Sequence, residues 1–337
     1  YQNNEITASI DSLRLKDKSG LNIEQIQAQV FYGKTSAYLK ELYIKTPQTQ
    51  IQKEVAIAYK SMTEIQHNLA DLQLNADIEG SRIAVKDLLL FAPDLAKTNP
   101  FKSNQNSTLY VDSKISGKIG NLTIPRFELA GIGKTNLVAS GKIIGLPKVE
   151  TAYFDLKIKE INTSRSDIQS IIPPGTLPKN ITLPNQLSLK GNFKGKISNF
   201  DTDLNLITSD GSISIKGHLN NQFKNKETYR ANVKMNNLNV GKIIQNDSIG
   251  KISLYMQVEG KSFNPKLANA KINGTVHQAY FKRYNYQNIQ LNGTISQGVA
   301  TAEIKVNDPN LQLLLDATGD LNGSYPKAKI KLNLDIA

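Results

Sequence analysis

Ile252-Ser253-Leu254-Tyr255-Met256-Gln257-Val258-Glu259 places an aliphatic or thioether side chain at every second position, with a polar or amphipathic one between. Successive side chains of a strand leave opposite faces, so this run reads as a strand with one apolar face and one wet face. The pattern recurs on both sides of it. Leu204 and Leu206 alternate with Asp203 and Asn205, and Tyr229, Ala231, Val233 and Met235 alternate with Arg230, Asn232 and Lys234. Near the end, Ile330, Leu332, Leu334 and Ile336 alternate with Lys331, Asn333 and Asp335. Parallel strands covered on both faces would read as unbroken apolar runs. The predicted fold class is therefore all-β: an elongated, curled antiparallel sheet with a few short helices.

Helical signals are short. Thr63–Asp71, Val85–Leu95, Ser166–Ile172 and Gly241–Asn246 each allow a turn or two, the third stopping before Pro173-Pro174 as a helix must. They are expected to plug sheet ends, not to cover a face. The Pro-rich stretch 173–184 reads as a crossover loop between a first groove segment, 1–172, and a second, 185–337, continuous with the first. Gly117-Lys118-Ile119-Gly120-Asn121-Leu122 resembles Gly195-Lys196-Ile197-Ser198-Asn199-Phe200, and Gly260-Lys261-Ser262-Phe263-Asn264-Pro265 is a weaker copy. Their unequal spacing suggests a drifted array without a fixed period.

Glycine falls repeatedly on the apolar parity. Gly117, Gly141, Gly191, Gly195, Gly217, Gly274 and Gly293 each have apolar residues two positions away. Glycine inside a strand marks a bend, a bulge or a close approach. At similar depth in successive strands, these residues are expected to crease the sheet along a line and wrap the apolar face around a trough. The competing reading makes Asn273-Gly274, Asn292-Gly293 and Asn322-Gly323 hairpin turns. Asp210-Gly211 also reads as a hairpin turn. By parity, the trough is lined by Leu189, Phe193, Ile197, Leu204, Leu206, Ile213, Ile215, Val233, Leu254, Met256 and Val258, with Ile330, Leu332 and Leu334. Lys190, Lys194, Asn205 and Lys216 then face solvent.

Forty-one Lys+Arg stand against 29 Asp+Glu, a net charge of +12. The lysines are scattered, without the basic stripe of a nucleic-acid binder. They fit a solvated sheet face with guarded edges, or a weak attraction to anionic membrane surfaces. No cysteine is present, which excludes disulfide scaffolds and thiol chemistry. No apolar run reaches the ~18 residues of a spanning helix. The chain starts at Tyr1 almost in a strand-like run and ends in another, Ala328–Ala337, as an excised fragment would.

Chemistry has little to stand on. His67, His218 and His277 lack metal-ligand spacing, and no nucleophile elbow, P-loop or dinucleotide fingerprint occurs. No catalytic residue, metal or cofactor is expected.

Several phrases are similar to the AsmA-like superfamily, within it the TamB-like proteins (translocation and assembly module) of Bacteroidetes. They are Asp11-Ser12-Leu13-Arg14-Leu15-Lys16-Asp17-Lys18-Ser19-Gly20-Leu21 and Leu42-Tyr43-Ile44-Lys45-Thr46-Pro47. Val85-Lys86-Asp87-Leu88-Leu89-Leu90-Phe91-Ala92-Pro93-Asp94-Leu95, Gly145-Leu146-Pro147 and Asp308-Pro309-Asn310-Leu311 also fit. The resemblance implies a β-taco whose interior carries phospholipid acyl chains across the periplasm to the outer membrane. It further implies a parent protein anchored in the inner membrane by an N-terminal helix absent here, and an Omp85-type partner. Two other functions stay open: a scaffold that chaperones outer-membrane proteins by strand pairing, and a β-sandwich binding module.

Overall fold

The computed structural model describes residues 5–18 and 20–336. The strand-like reading at Tyr1 lies outside them. Strands hold 63% of the chain, against about 20–25% in ordinary globular proteins, and the strand pairings are antiparallel. The fold class is all-β, as the alternation predicts. The chain divides into two units, Tyr1–Thr176 and Leu177–Ala337.

In the first unit, β1 (Ile6–Lys16), β2 (Asn22–Tyr32), β3 (Ser36–Lys45) and β4 (Gln50–Ala58) pair in chain order. After α1 (Met62–His67) come β5 (Gln73–Asp77) and β6 (Ser81–Ala84), which share one place between β4 and β7 (Thr108–Lys118). Between β6 and β7 stands α2 (Val85–Phe91). Then β8 (Asn121–Ile132), β9 (Thr135–Ile144) and β10 (Tyr153–Ser164) complete the meander, and α3 (Arg165–Ile171) follows.

The helices plug the sheet locally. Val85 of α2 packs with Leu109, Val111 and Ile132 in a buried cluster, against which Leu89, Phe101 and Ile171 also lie. Polar contacts fix both helices. The Asp87 carboxylate accepts the hydroxyls of Thr46 (2.6 Å) and Thr49 (2.7 Å) from the β3–β4 turn. The Ser164 hydroxyl caps α3 by accepting Asp167 N–H at 3.2 Å, while the Asp167 carboxylate takes Lys134 N–H at 3.0 Å.

The second unit is a ten-strand meander. Its strands are β11 (Gln186–Lys196), β12 (Asn199–Thr208), β13 (Gly211–Asn220), β14 (Thr228–Asn239) and β15 (Ile249–Lys261). They continue with β16 (Asn269–Phe281), β17 (Tyr284–Ser296), β18 (Val299–Asp308), β19 (Leu311–Asp320) and β20 (Lys327–Ile336). Each pairs with its neighbours in sequence. One helix interrupts them, α4 (Val240–Ile244) between β14 and β15.

The glycine-bearing repeat is a hairpin signature. Gly117-Leu122 and Gly195-Phe200 each enclose a tight turn, Ile119-Gly120 and Ile197-Ser198. Gly195 has φ +135°, and a Cβ there would run into the carbonyl of Asn199 and the Cα of Phe200. Only glycine lets the strands close so tightly. Asp210-Gly211 falls at the β12–β13 hairpin, whose turn is Ser209-Asp210, with Gly211 as the first residue of β13. Asn273-Gly274 and Asn292-Gly293 do not form turns; both lie inside strands, where Asn273 pairs with Asn292 and Gly274 with Leu291. Asn322-Gly323 lies in the β19–β20 loop.

Candidate ligand-binding face

Pairing register arranges the apolar parity of the second unit into four rows that cross its ten strands. One row reads Leu189, Leu206, Ile213, Met235, Leu254, Val276, Ile289, Val306, Leu313 and Leu334. The next reads Gly191, Leu204, Ile215, Val233, Met256, Gly274, Leu291, Ile304, Leu315 and Leu332. The third runs Phe193, Thr202, Gly217, Ala231, Val258, Ile272, Gly293, Ala302, Ala317 and Ile330. The fourth, nearest the β11–β12 turn, mixes aromatic and small residues with two aliphatic ones: Gly195, Phe200, Leu219, Tyr229, Gly260, Ala270, Ile295, Ala300, Gly319 and Ala328.

Thirteen of the residues expected to line a trough therefore share one face, and Ile197 does not. Ile197 sits in the tight turn beyond the end of β11 and is exposed, because alternation ceases where the chain reverses. Ile330, Leu332 and Leu334 lie on the face but are exposed; among the described residues β20 pairs with β19 alone. Sequence reasoning missed Val276, Ile289, Leu291, Ile304, Leu313 and Leu315, which stand in the same rows.

The glycines do not fall on one line, because parity fixes a face and leaves the height along the strand open. Gly191 and Gly274 share one row, Gly217 and Gly293 the next, and Gly195 the one beyond. In the first unit Gly117 pairs with Leu122, whereas Gly141 lies one step along, opposite Ile124 and Leu156.

Across the two bulky rows, Val306 alone is buried, and from β11 to β19 the rest are half-buried. Side chains on this face are thus partly accessible among the described residues. Phe193 and Phe200 stack at 4.8 Å between centroids, and Tyr229 stacks on Phe263 at 5.0 Å.

The opposite face is wet, and Lys190, Lys194, Asn205 and Lys216 are exposed on it. It also holds a cleft of about 520 Å³, lined by polar-parity residues including Lys194, Asp203, Lys216, Arg230, Asn232 and Glu259. Lys216 reaches Asp203 at 3.6 Å, and His218 Nδ1 lies 3.1 Å from Asp201. In the first unit the polar face carries an ion network across β4, β5, β7 and β8. Arg126 bridges Asp112 (2.9 Å), Glu128 (3.1 Å) and Glu79 (3.5 Å). Lys53 pairs with Glu79, and Lys114 with Asp77 at 3.3 Å. The Lys53–Glu79 hydrogen bond lowers the Glu79 carboxyl and raises the Lys53 ammonium from their ordinary values. These side chains are half-exposed and mutually neutralising.

Asp308, 1% exposed, is the most buried carboxylate of the second unit. It accepts Tyr284 O–H at 2.6 Å and the N–H groups of Gln287 and Asn310 at 2.9 Å each, which closes the β18–β19 turn against β17. Burial pushes its pKa up, but these hydrogen bonds outweigh burial and hold it below the ordinary carboxylate value. Both of its oxygens accept hydrogen bonds within the fold, so the group is structural.

Among the described residues no set of three or more His, Cys, Asp or Glu side chains could hold a metal ion, and no helix is long and apolar enough to cross a membrane. His67 lies in α1, His218 in β13 and His277 in β16. The chain matches no protein-family model, no curated protein and no solved structure.

Proposed function

We propose that the apolar face of the second unit holds phospholipid acyl chains, as a segment of a lipid-carrying groove of the AsmA and TamB-like kind. One observation carries this reading: bulky aliphatic rows that cross ten strands while their side chains, Val306 aside, are not fully buried. An ordinary core would bury them. A face that takes a mobile apolar ligand keeps them accessible. Each methylene withdrawn from water contributes about 0.8 kcal/mol, with no fixed polar partner required. A lipid can then slide along the rows, from strand to strand, at nearly constant energy. In this reading the parent protein works in the periplasm, anchored in the inner membrane, with an Omp85-type partner at the outer membrane. The protein acts as a carrier and not as an enzyme.

Native mass spectrometry of the purified chain tests the proposal. Co-purifying phospholipid is expected, and Met256→Arg is expected to abolish it. In cells, the same substitution in the parent protein is expected to block lipid delivery to the outer membrane. A chain that carries no lipid, and takes none up from micelles, would refute the reading.

A further inference from the structure

The ten strands of the second unit end on two rims that differ in chemistry. The rim beside the row of aromatic and small residues is built from the β11–β12 turn, loops 221–227 and 262–268, the β17–β18 turn and loop 321–326. Four of these connections present a large exposed apolar side chain: Ile197 (56%), Phe223 (67%), Phe263 (56%) and Tyr325 (85%). Lysines stand beside each of the four: Lys196, Lys224, Lys226, Lys261, Lys266 and Lys327. None of the six forms an ion pair among the described residues. Two carboxylates share the rim. Glu227 is buried and accepts the N–H groups of Asn225 and Phe263, and Asp320 accepts Asn322 N–H. The opposite rim is mixed: it exposes Ile207, Tyr280 and Phe281 near its connections. Its connections include Ser209-Asp210, α4 and Pro309-Asn310; Lys242 there is neutralised by Asp210 at 2.6 Å, and Phe281-Lys282-Arg283 is a single basic apolar turn.

Exposed apolar side chains cost solvation unless something covers them. Successive turns on one rim lie two strands apart, so five of them span about 40 Å at ~4.8 Å per strand. That footprint suits an extended surface better than one small ligand. Apolar tips flanked by unpaired lysines match the boundary between headgroups and acyl chains, where the tip inserts and the ammonium meets phosphate. We propose that this rim is a docking edge for an anionic bilayer surface. The committed occupant is the bilayer, and the argument is charge complementarity along a row of insertable side chains. It stands apart from the acyl-chain reading: the rim docks whether or not the face carries lipid.

Flotation of the purified chain with vesicles tests it, comparing phosphatidylcholine alone with phosphatidylcholine plus phosphatidylglycerol. Binding is expected for the anionic vesicles and is expected to weaken with salt. Each lysine near an anionic surface strengthens binding about fivefold, so Lys224→Ala with Lys226→Ala together should weaken it roughly 25-fold. Phe223→Ser, at an exposed loop tip, should weaken it further, with the circular dichroism spectrum unchanged. The equal-charge control, Lys234→Ala with Lys305→Ala on the polar face, should leave binding unchanged. The proposal is overturned if anionic vesicles do not bind, if the control weakens binding as much as the rim pair, or if the chain binds soluble polyglutamate and not vesicles. Failure here with lipid still seen by native mass spectrometry would leave the groove reading intact.

Discussion

Val233→Asp separates an open face from a closed core. Val233 lies between Ile215 and Met256 on neighbouring strands and is half-buried. Fully burying such a side chain stabilises by about 1.5–3 kcal/mol, so half-burial contributes about 1 kcal/mol. The poorer strand propensity of aspartate adds up to about 1 kcal/mol. The carboxylate itself keeps access to water and escapes the full desolvation cost. The sum is about 2 kcal/mol, which for a unit of this size lowers Tm by about 4–8 °C. Circular dichroism melts measure the shift, and native mass spectrometry reads lipid on the same sample. The expected variant is folded, modestly less stable and free of lipid. A Tm loss beyond about 15 °C, or loss of the β signal, would mean that a charge had entered a sealed interior, where unpaired burial costs several kcal/mol. A folded variant that still carries lipid would show that the acyl chains lie elsewhere. Lys234→Asp, one residue along and on the wet face, should change neither readout.

Gly195→Val should destabilise the second unit by about 1–3 kcal/mol in urea titrations, because φ +135° and the Asn199 carbonyl leave no room for a branched side chain. Ile197→Ser, in the adjacent exposed turn, should stay within about 0.5 kcal/mol. Asp308 has a folded pKa below its ordinary value, so its contribution is complete above the unfolded pKa and is lost as pH falls through the folded one. Thermal melts of the wild type should therefore lose stability below about pH 4, and Asp308→Asn should flatten that part of the profile. Asp87→Ala should cost about 1–3 kcal/mol by leaving the Thr46 and Thr49 hydroxyls without their acceptor, and limited proteolysis should then open the β3–β4 turn.

Much of this architecture is legible in the sequence because the strand period is short and strict. Leu204 and Leu206, or Met256 and Val258, declare a common face two residues apart, and the four helix signals survive as α1 to α4. Height along the strand is not legible in the same way. Whether Gly217 stands level with Gly274 depends on turn lengths and on bulges such as the shift between Met235 and Leu238, and alternation carries no record of either. The ion network around Arg126 was hidden for that reason: Glu79 lies in the link between two strands that share one place, and Lys53 has a positive φ. Phe223 and Tyr325 went unnoticed because loop residues have no periodicity to violate. Their significance emerges only when the turns of one rim are set side by side.

The meander of the second unit has a consequence for how it unfolds. Every strand holds only its chain neighbours, so stability is transmitted hairpin by hairpin, much as in a linear array of coupled modules. Damage at one strand decays along the array and need not spread through it. Closure distances are short throughout, which favours rapid formation from any hairpin that nucleates first. Hydrogen exchange should grade from fast at β20 to slow in the middle strands, with no single global threshold. The same locality lets evolution lengthen or shorten such a sheet by whole hairpins, because no distant partner must move to accommodate the change.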